Sequence, residues 1–168
     1  MVCVGSTEFD TLIKEIDNEL FEYMLVKNGF TNLVVQSGKG TYKLRYLSDS
    51  KKLEVKADGF MVLEPIINQS ELVISHCGAG VLLECLRSTN EGLGTTNVAV
   101  INSTLMNNHQ MELGSKLHKE GFNHTTTTHK ILADLDEIFR KGKFGHFKKF
   151  PPVKPGVIVD LMDDVLLS

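Results

Sequence analysis

Residues 71–80 read Glu71-Leu72-Val73-Ile74-Ser75-His76-Cys77-Gly78-Ala79-Gly80, and Val81, Leu82, Cys85 and Leu86 follow at helical spacing. A short apolar run of β-prone residues that turns through small residues directly into a helix is one half of a βαβ unit. Parallel strands need such a crossover, and a sheet built this way is covered on both faces. The rhythm extends in both directions. Towards the N-terminus, Val2 to Val4 predicts a strand and Gly5-Ser6-Thr7 a tight turn. Phe9, Leu12, Ile13, Ile16, Leu20, Tyr23 and Met24 then form one helical stripe stopped by Asn28-Gly29. Leu33-Val34-Val35 predicts a second buried strand ending in the loop Ser37-Gly38-Lys39-Gly40. Residues 41–59 are polar and irregular, with a strand expected at Leu53 to Lys56; Phe60-Met61-Val62-Leu63 follows, with Pro65 as a breaker. Towards the C-terminus, Val98 to Ile101 is a strand. A loop with Asn102 and Asn107 leads into a helix carrying Met106, Leu113 and Leu117, closed by Gly121, and Thr125 to Thr128 reads as a loop or edge strand. The expected fold is α/β: a Rossmann-like, mainly parallel sheet with helices on both faces, which binds ligands at the carboxyl ends of its strands.

Composition agrees with one globular domain: 168 residues, 42% apolar and 23% charged. A chain of this size buries roughly 70% of its unfolded surface and needs no disulfide or structural metal to hold a core. The three cysteines are odd in number and lack CxxC spacing, as in a reducing compartment. No apolar stretch approaches the roughly 18 residues needed to span a bilayer, and nothing near Met1 reads as a signal peptide. The expectation is therefore a cytoplasmic chain. A net charge of -3 argues against a general nucleic-acid binder. Six basic residues and no acid lie between Arg140 and Lys154, and Val157, Ile158, Leu161, Met162, Val165 and Leu166 then form an apolar stripe. The expected organisation is a Rossmann-like domain over residues 1–140, a basic linker over 141–155 and an amphipathic helix over 156–168. That helix can cover the domain's own sheet or a partner.

Three segments carry candidate chemistry. Gly5-Ser6-Thr7, between a strand and a helix, suits an anionic phosphate through exposed N–H groups; a turn glycine with a Ser or Thr cap is the commoner explanation of the fragment taken alone. His76-Cys77-Gly78-Ala79-Gly80 allows close backbone approach, and Glu84 places a carboxylate one turn into the helix, where ribose hydroxyls could be met. Asn107-Asn108-His109-Gln110 gathers four hydrogen-bonding side chains at a helix start, as a polyhydroxylated ligand requires, although helix capping by either asparagine accounts for any one of them. Several classes fall away. Leu83 stands where a dinucleotide fingerprint needs glycine, and Gly38-Lys39 lacks the leading glycine and the hydroxyl residue of a P-loop. No HExxH, zinc-spaced Cys/His pair or GxSxG elbow is present, so neither a metal site nor a Ser-His-Asp hydrolase is expected.

Val4-Gly5-Ser6-Thr7-Glu8-Phe9-Asp10, Gln36-Ser37-Gly38-Lys39-Gly40-Thr41, Leu72 to Gly80 and Leu105-Met106-Asn107-Asn108-His109-Gln110-Met111-Glu112-Leu113 together carry a resemblance, in order and spacing, over about residues 2 to 122. The chain resembles the catalytic subunits of the UDP-N-acetylglucosamine transferase that builds dolichol-linked oligosaccharide. The resemblance implies the donor-binding half of a GT-B glycosyltransferase, similar to the C-terminal half of the bacterial MurG enzyme. It implies inverting transfer of GlcNAc from UDP-GlcNAc to GlcNAc-diphosphate-dolichol, forming a β-1,4 linkage, the second sugar step of lipid-linked oligosaccharide assembly for N-glycosylation. UDP-GlcNAc would be the donor substrate, with no cofactor. A separate membrane-anchored subunit would bind the acceptor and recruit this chain to the cytosolic face of the endoplasmic reticulum.

By the same resemblance, Gly5, Ser6 and Thr7 would lie near the diphosphate, Gly78, Ala79 and Gly80 around the nucleotide, and Glu84 on the ribose. Asn107, His109 and Gln110 would meet the donor sugar. His76, matched in the nucleotide corner, and Asp10 are candidates for the general base, and each can instead shape the donor loop or cap a helix. The competing function is a non-catalytic nucleotide-sugar-binding or assembly module of the same fold.

Overall fold

The structure is a computed structural model that describes residues 1–90, 94–102, 108–142 and 147–150; the side chains of 89, 90 and 108–110 lie outside that description. Six strands form one all-parallel sheet: β1 (Val2–Cys3), β2 (Asn32–Gln36), β3 (Glu54–Asp58), β4 (Leu72–His76), β5 (Thr96–Ile101) and β6 (His124–Thr127). Their order is β3-β2-β1-β4-β5-β6. The chain winds outward from β1 in one direction and then restarts at β4 in the other. The carboxyl ends of β1 and β4 therefore border the point where the connections diverge, the crevice in which open α/β sheets receive ligands.

Alternation along the strands divides the interior. Val35, Val2, Ile74 and Val98 are in register across four strands and face one layer, formed by α1 (Asp10–Ile16), α2 (Glu19–Lys27) and α6 (Ile131–Arg140). Cys3, Ser75 and Ala99, the next residues in register, face the opposite layer of α3 (Glu64–Asn68), α4 (Ala79–Asn90) and α5 (Asn108–Glu120). On that face Cys3, Val73, Val81 and Cys85 pack with Ile67, while Cys77, Leu82, Leu86 and Ala99 pack with Leu117. All three cysteines are buried, and none forms a disulfide. Burial raises the Cys3 thiol to about 12 and the Cys77 thiol to about 11, which keeps both protonated and unreactive.

Two local expectations change, and one further helix is present. The single helix over the Phe9–Met24 stripe is two helices. Asn18 caps the second by accepting from the Phe21 N–H at 3.0 Å, and the neighbouring Asp17 carboxylate is taken up by backbone donors of a distant loop. Pro65 does not break structure but opens α3 from its first turn, where a missing N–H is harmless. Ile131, Leu135 and Ile138 are the buried stripe of α6, which the sequence reading passed over although i, i+4, i+7 spacing is its signature.

The other elements lie where expected, with the Thr125 to Thr128 tract supplying the edge strand β6. Of the expected 141–155 linker, residues 147–150 run against Phe122: the Lys148 N–H donates to the Gly121 carbonyl at 2.9 Å, and Phe150 meets Phe122 edge-on. The expected amphipathic helix over 156–168 lies outside the described residues.

Candidate functional site

The site is built on the carboxyl ends of β1 and β4. Gly5 leaves β1 with φ +63°, the left-handed region that glycine adopts without penalty. A Cβ on Gly5 would stand 2.7 Å from Cε1 of His76, and a Cβ on Gly78 would overlap Nε2 of the same imidazole. The His76 ring thus lies against two glycine backbones, and it joins the β1 loop to the β4 corner. His76 is buried, which pushes its pKa down; the Cys3 backbone opposes that shift to a smaller extent. The ring is neutral at neutral pH, and its Nδ1 is buried with no hydrogen bond of good geometry.

Ser6 is the exposed member of the Gly5-Ser6-Thr7 turn. The Gly5 N–H donates to Gln36 Oε1 at 2.9 Å, and Thr7 Oγ1 donates to the Val4 carbonyl at 2.8 Å, so both groups are used within the loop. A second loop lies alongside. The Lys39 N–H donates to the Thr7 carbonyl at 3.0 Å and the Gly38 N–H to the Gly59 carbonyl at 2.8 Å. At Gly38 (φ +59°) any side chain would run into the Thr7 and Gly5 carbonyls.

Asp10, the first residue of α1, lies at the edge of this cluster. Its Oδ2 accepts from the Thr41 N–H at 3.1 Å, the Thr41 hydroxyl at 3.0 Å and the Tyr42 N–H at 3.1 Å, while Oδ1 is buried against Gly40. Desolvation works against its charge, but these hydrogen bonds and nearby Lys14 prevail and hold the carboxyl below its ordinary range. Asp10 thus braces the 38–42 loop, the alternative role that the sequence left open for it.

Beyond His76, α4 begins at Ala79, and the N–H groups of its first turn have no acceptor within the helix. Glu84 lies further along that helix, half-buried, with Oε2 buried and unpartnered. Burial and the neighbouring Glu64 carboxylate raise its pKa, with Arg87 opposing. The loop after β5 is adjacent by strand order. Asn108, His109 and Gln110 open α5 there; their side chains, and the whole of Asn107, lie outside the described residues.

The structure brings Gly5, His76 and Gly78 into contact and sets the start of α4 beside them. Two participants have no role assigned from the sequence: Gln36, which opens one of the matched stretches and whose amide holds Gly5, and Gly59, which it also reaches. The available signal was a glutamine closing an apolar strand immediately before Ser37-Gly38. Among the described residues, no three His, Cys, Asp or Glu side chains are grouped to hold a metal ion, and no helix is long and apolar enough to cross a membrane.

Comparison with known proteins gives this geometry its context. The glycosyltransferase family 28 C-terminal domain matches residues 1–149. The UDP-N-acetylglucosamine transferase subunit ALG13 of Mus musculus is 40% identical over 121 residues, which is 71% of this chain and 10% of that protein. The chain therefore spans a small part of that mammalian relative. The subunit of the same name from Yarrowia lipolytica is 30% identical over 171 residues, 96% of this chain and 81% of the relative. A solution NMR structure of ALG13 superposes with a TM-score of 0.65 at 22% identity, over 99% of this chain and 96% of that one, a likeness of fold.

Proposed function

The chain belongs to the glycosyltransferase family 28 C-terminal domain family, and from that premise we propose that it is the donor-binding, catalytic subunit of a UDP-GlcNAc-dependent N-acetylglucosaminyltransferase. The observation that carries this reading is the contact of Gly5, His76 and Gly78 at the divergence of β1 and β4, with the first turn of α4 and the unpartnered Glu84 beside it. UDP fits the chemistry of that crevice. Its diphosphate meets the exposed Ser6 and the N–H groups opening α4, and its ribose hydroxyls donate to Glu84. The amino sugar then extends towards His109 and Gln110 after β5.

The proposed reaction moves GlcNAc from UDP-GlcNAc to GlcNAc-diphosphate-dolichol. The acceptor hydroxyl attacks the anomeric carbon from the face opposite UDP, and a β-1,4 linkage forms as the bond to the diphosphate oxygen breaks. That oxygen leaves with the electron pair. Oriented N–H donors stabilise its growing charge, a preorganised contribution of several kcal/mol for donors of this type. The acceptor proton passes to a base. His76 is buried, and Asp10 is engaged at Oδ2 by Thr41 and Tyr42 and buried at Oδ1, so in this reading a base supplied by a membrane-anchored, acceptor-binding partner subunit completes the reaction. In this reading the pair assembles on the cytosolic face of the endoplasmic reticulum.

The same occupied carboxylate and buried imidazole favour a second reading, a nucleotide-sugar-binding or assembly module without turnover. Co-expression with a candidate membrane subunit separates the two. Transfer from UDP-GlcNAc to a GlcNAc-diphosphate-polyprenyl acceptor is expected from the pair and from neither chain alone. A stable complex that binds UDP-GlcNAc and transfers nothing would establish the module instead.

A further inference from the structure

Gln36, the last residue of β2, is 2% exposed in a strand whose other inward residues, Leu33 and Val35, are apolar. A buried amide is costly unless its hydrogen-bonding capacity is met. Here every position is filled. Oε1 accepts from the Val4 N–H at 3.1 Å and the Gly5 N–H at 2.9 Å, and Nε2 donates to the Gly5 carbonyl at 2.6 Å and the Gly59 carbonyl at 2.7 Å. Two acceptor sites and two donors are all that a glutamine side chain possesses.

Three of these four bonds end on Val4 and Gly5. One amide grips both the N–H and the carbonyl of Gly5, so it dictates the orientation of that residue at φ +63°. Gly5 in turn lies against the His76 imidazole, and exposed Ser6 follows it directly. The fourth bond ties the same amide to the loop after β3. β1 ends at Cys3; the Val4 N–H is shared between the Gln36 main-chain carbonyl at 3.2 Å and Oε1 at 3.1 Å, and at Gly5 the Gln36 side chain alone makes the bonds to β2.

We propose that Gln36 is a positioning residue for the donor site: its amide sets the backbone of the Gly5-Ser6 turn in the conformation that receives the nucleotide diphosphate. This rests on the reading of the crevice as a UDP site. No other side chain meets the geometry. Methionine has the length and neither donor nor acceptor, glutamate has acceptors and no donor for the Gly5 and Gly59 carbonyls, and asparagine is one methylene short.

The test uses the full chain, with UDP titrated by calorimetry and amide hydrogen exchange followed by NMR, for the wild type, Gln36→Met and Gln36→Glu. The wild type binds UDP and protects the Gly5 amide. Gln36→Met is expected to keep a cooperative thermal transition, lose Gly5 protection and bind UDP about tenfold or more weakly, the loss of about 1.4 kcal/mol that follows from disordering a preorganised loop. Gln36→Glu is expected to bind weakly at pH 8 and to recover part of the wild-type affinity, compared at the same pH, near pH 5. Protonation there restores one donor, a profile that a packing role would not produce. In the assembled enzyme, KM for UDP-GlcNAc rises more than kcat falls. Gln36→Met binding UDP within about twofold of wild type, or an unchanged Gly5 exchange rate, overturns the inference. If Gln36→Met does not fold, a flat pH profile for Gln36→Glu overturns it. A wild type that ignores UDP while Gly5 exchange still depends on Gln36 overturns the UDP reading instead, and the positional role stands.

Discussion

The two sides of the crevice are built on opposite principles. On the β1–β3 side, side-chain amide and carboxylate groups make the contacts, and among the described residues Asp10 Oδ1 is the one buried atom there without a partner. Gln36 uses all its hydrogen-bonding positions, and three acidic residues anchor the crossover that follows β2. Asp10 holds Thr41 and Tyr42. Asp17 accepts from the Tyr42 hydroxyl and the N–H groups of Arg45, Tyr46 and Leu47, at 2.7 to 3.1 Å. Buried Glu22 takes the Ser50 and Tyr46 hydroxyls and Lys52. On the β4–α4 side, glycines and one imidazole make the contacts, and His76 Nδ1 and Glu84 Oε2 are left without partners. Hydrogen bonds from several segments to one side chain hold the first side together, whereas the second is closed by glycine backbones against one ring. The first side is a scaffold, and the second is the corner at which the proposed nucleotide site lies.

The largest effect that would break this comparison is at Gly78. Gly78→Ala places a methyl group into the His76 ring, so the corner must open. UDP affinity is expected to fall about 100-fold, about 2.7 kcal/mol, by calorimetry. Retained affinity would mean that the β4 corner is not where the nucleotide lies.

Next comes the scaffold. Asp17→Ala removes one carboxylate from four donors, two of them in exposed pairs that contribute little, and is expected to cost about 2 kcal/mol of folding stability at roughly 1 kcal/mol for each part-buried bond. UDP affinity of the folded fraction should stay within about twofold. Chemical denaturation and calorimetry on the same sample check both, and a large loss of binding would show that the two sides are coupled.

The smallest effect sharpens the contrast at Glu84. Its pKa is raised in the folded chain, so the native state binds more protons than the unfolded state in that window. Stability therefore falls as pH rises from the ordinary carboxylate range through the raised value. Glu84→Gln is expected to melt at or slightly above the wild-type temperature at pH 7, with the difference closing in acid, while UDP affinity drops about tenfold. A Gln variant that is less stable at pH 7 would place Glu84 with the scaffold. Asp10 and Glu22 have the opposite sign: both are held low, and their contribution is present at neutral pH and lost in acid.

Much of the fold was legible in the chain. Leu72 to Ser75 ran into His76-Cys77-Gly78, Val98 to Ile101 followed, and Asn28-Gly29 and Gly121 stopped their helices. The misreadings have local causes. The stripe from Phe9 to Met24 keeps its period across Asp17-Asn18, so only the capping bond and the loop bound by Asp17 reveal the break. Pro65 reads as a breaker or as a helix opener, and the residues after it decide which. Among site residues, Gly5, Gly78 and His76 were singled out from the strand-to-helix corners on which they sit. Gln36 stood in a matched stretch without a role, because its partners lie 31 and 23 residues away.

The sequence by itself determined the α/β rhythm, the glycine corners at the carboxyl ends of strands and the family to which the chain belongs, because periodicity, turn chemistry and motif spacing are written between near neighbours along the chain. Only the tertiary structure decided that β4 lies beside β1, that one imidazole is shared by Gly5 and Gly78, and that a glutamine amide holds the turn beyond β1. Those contacts join distant segments. They exist because crossovers on both faces of a parallel sheet restart the strand order at β4, and a buried polar group then takes whichever partners that order places within reach.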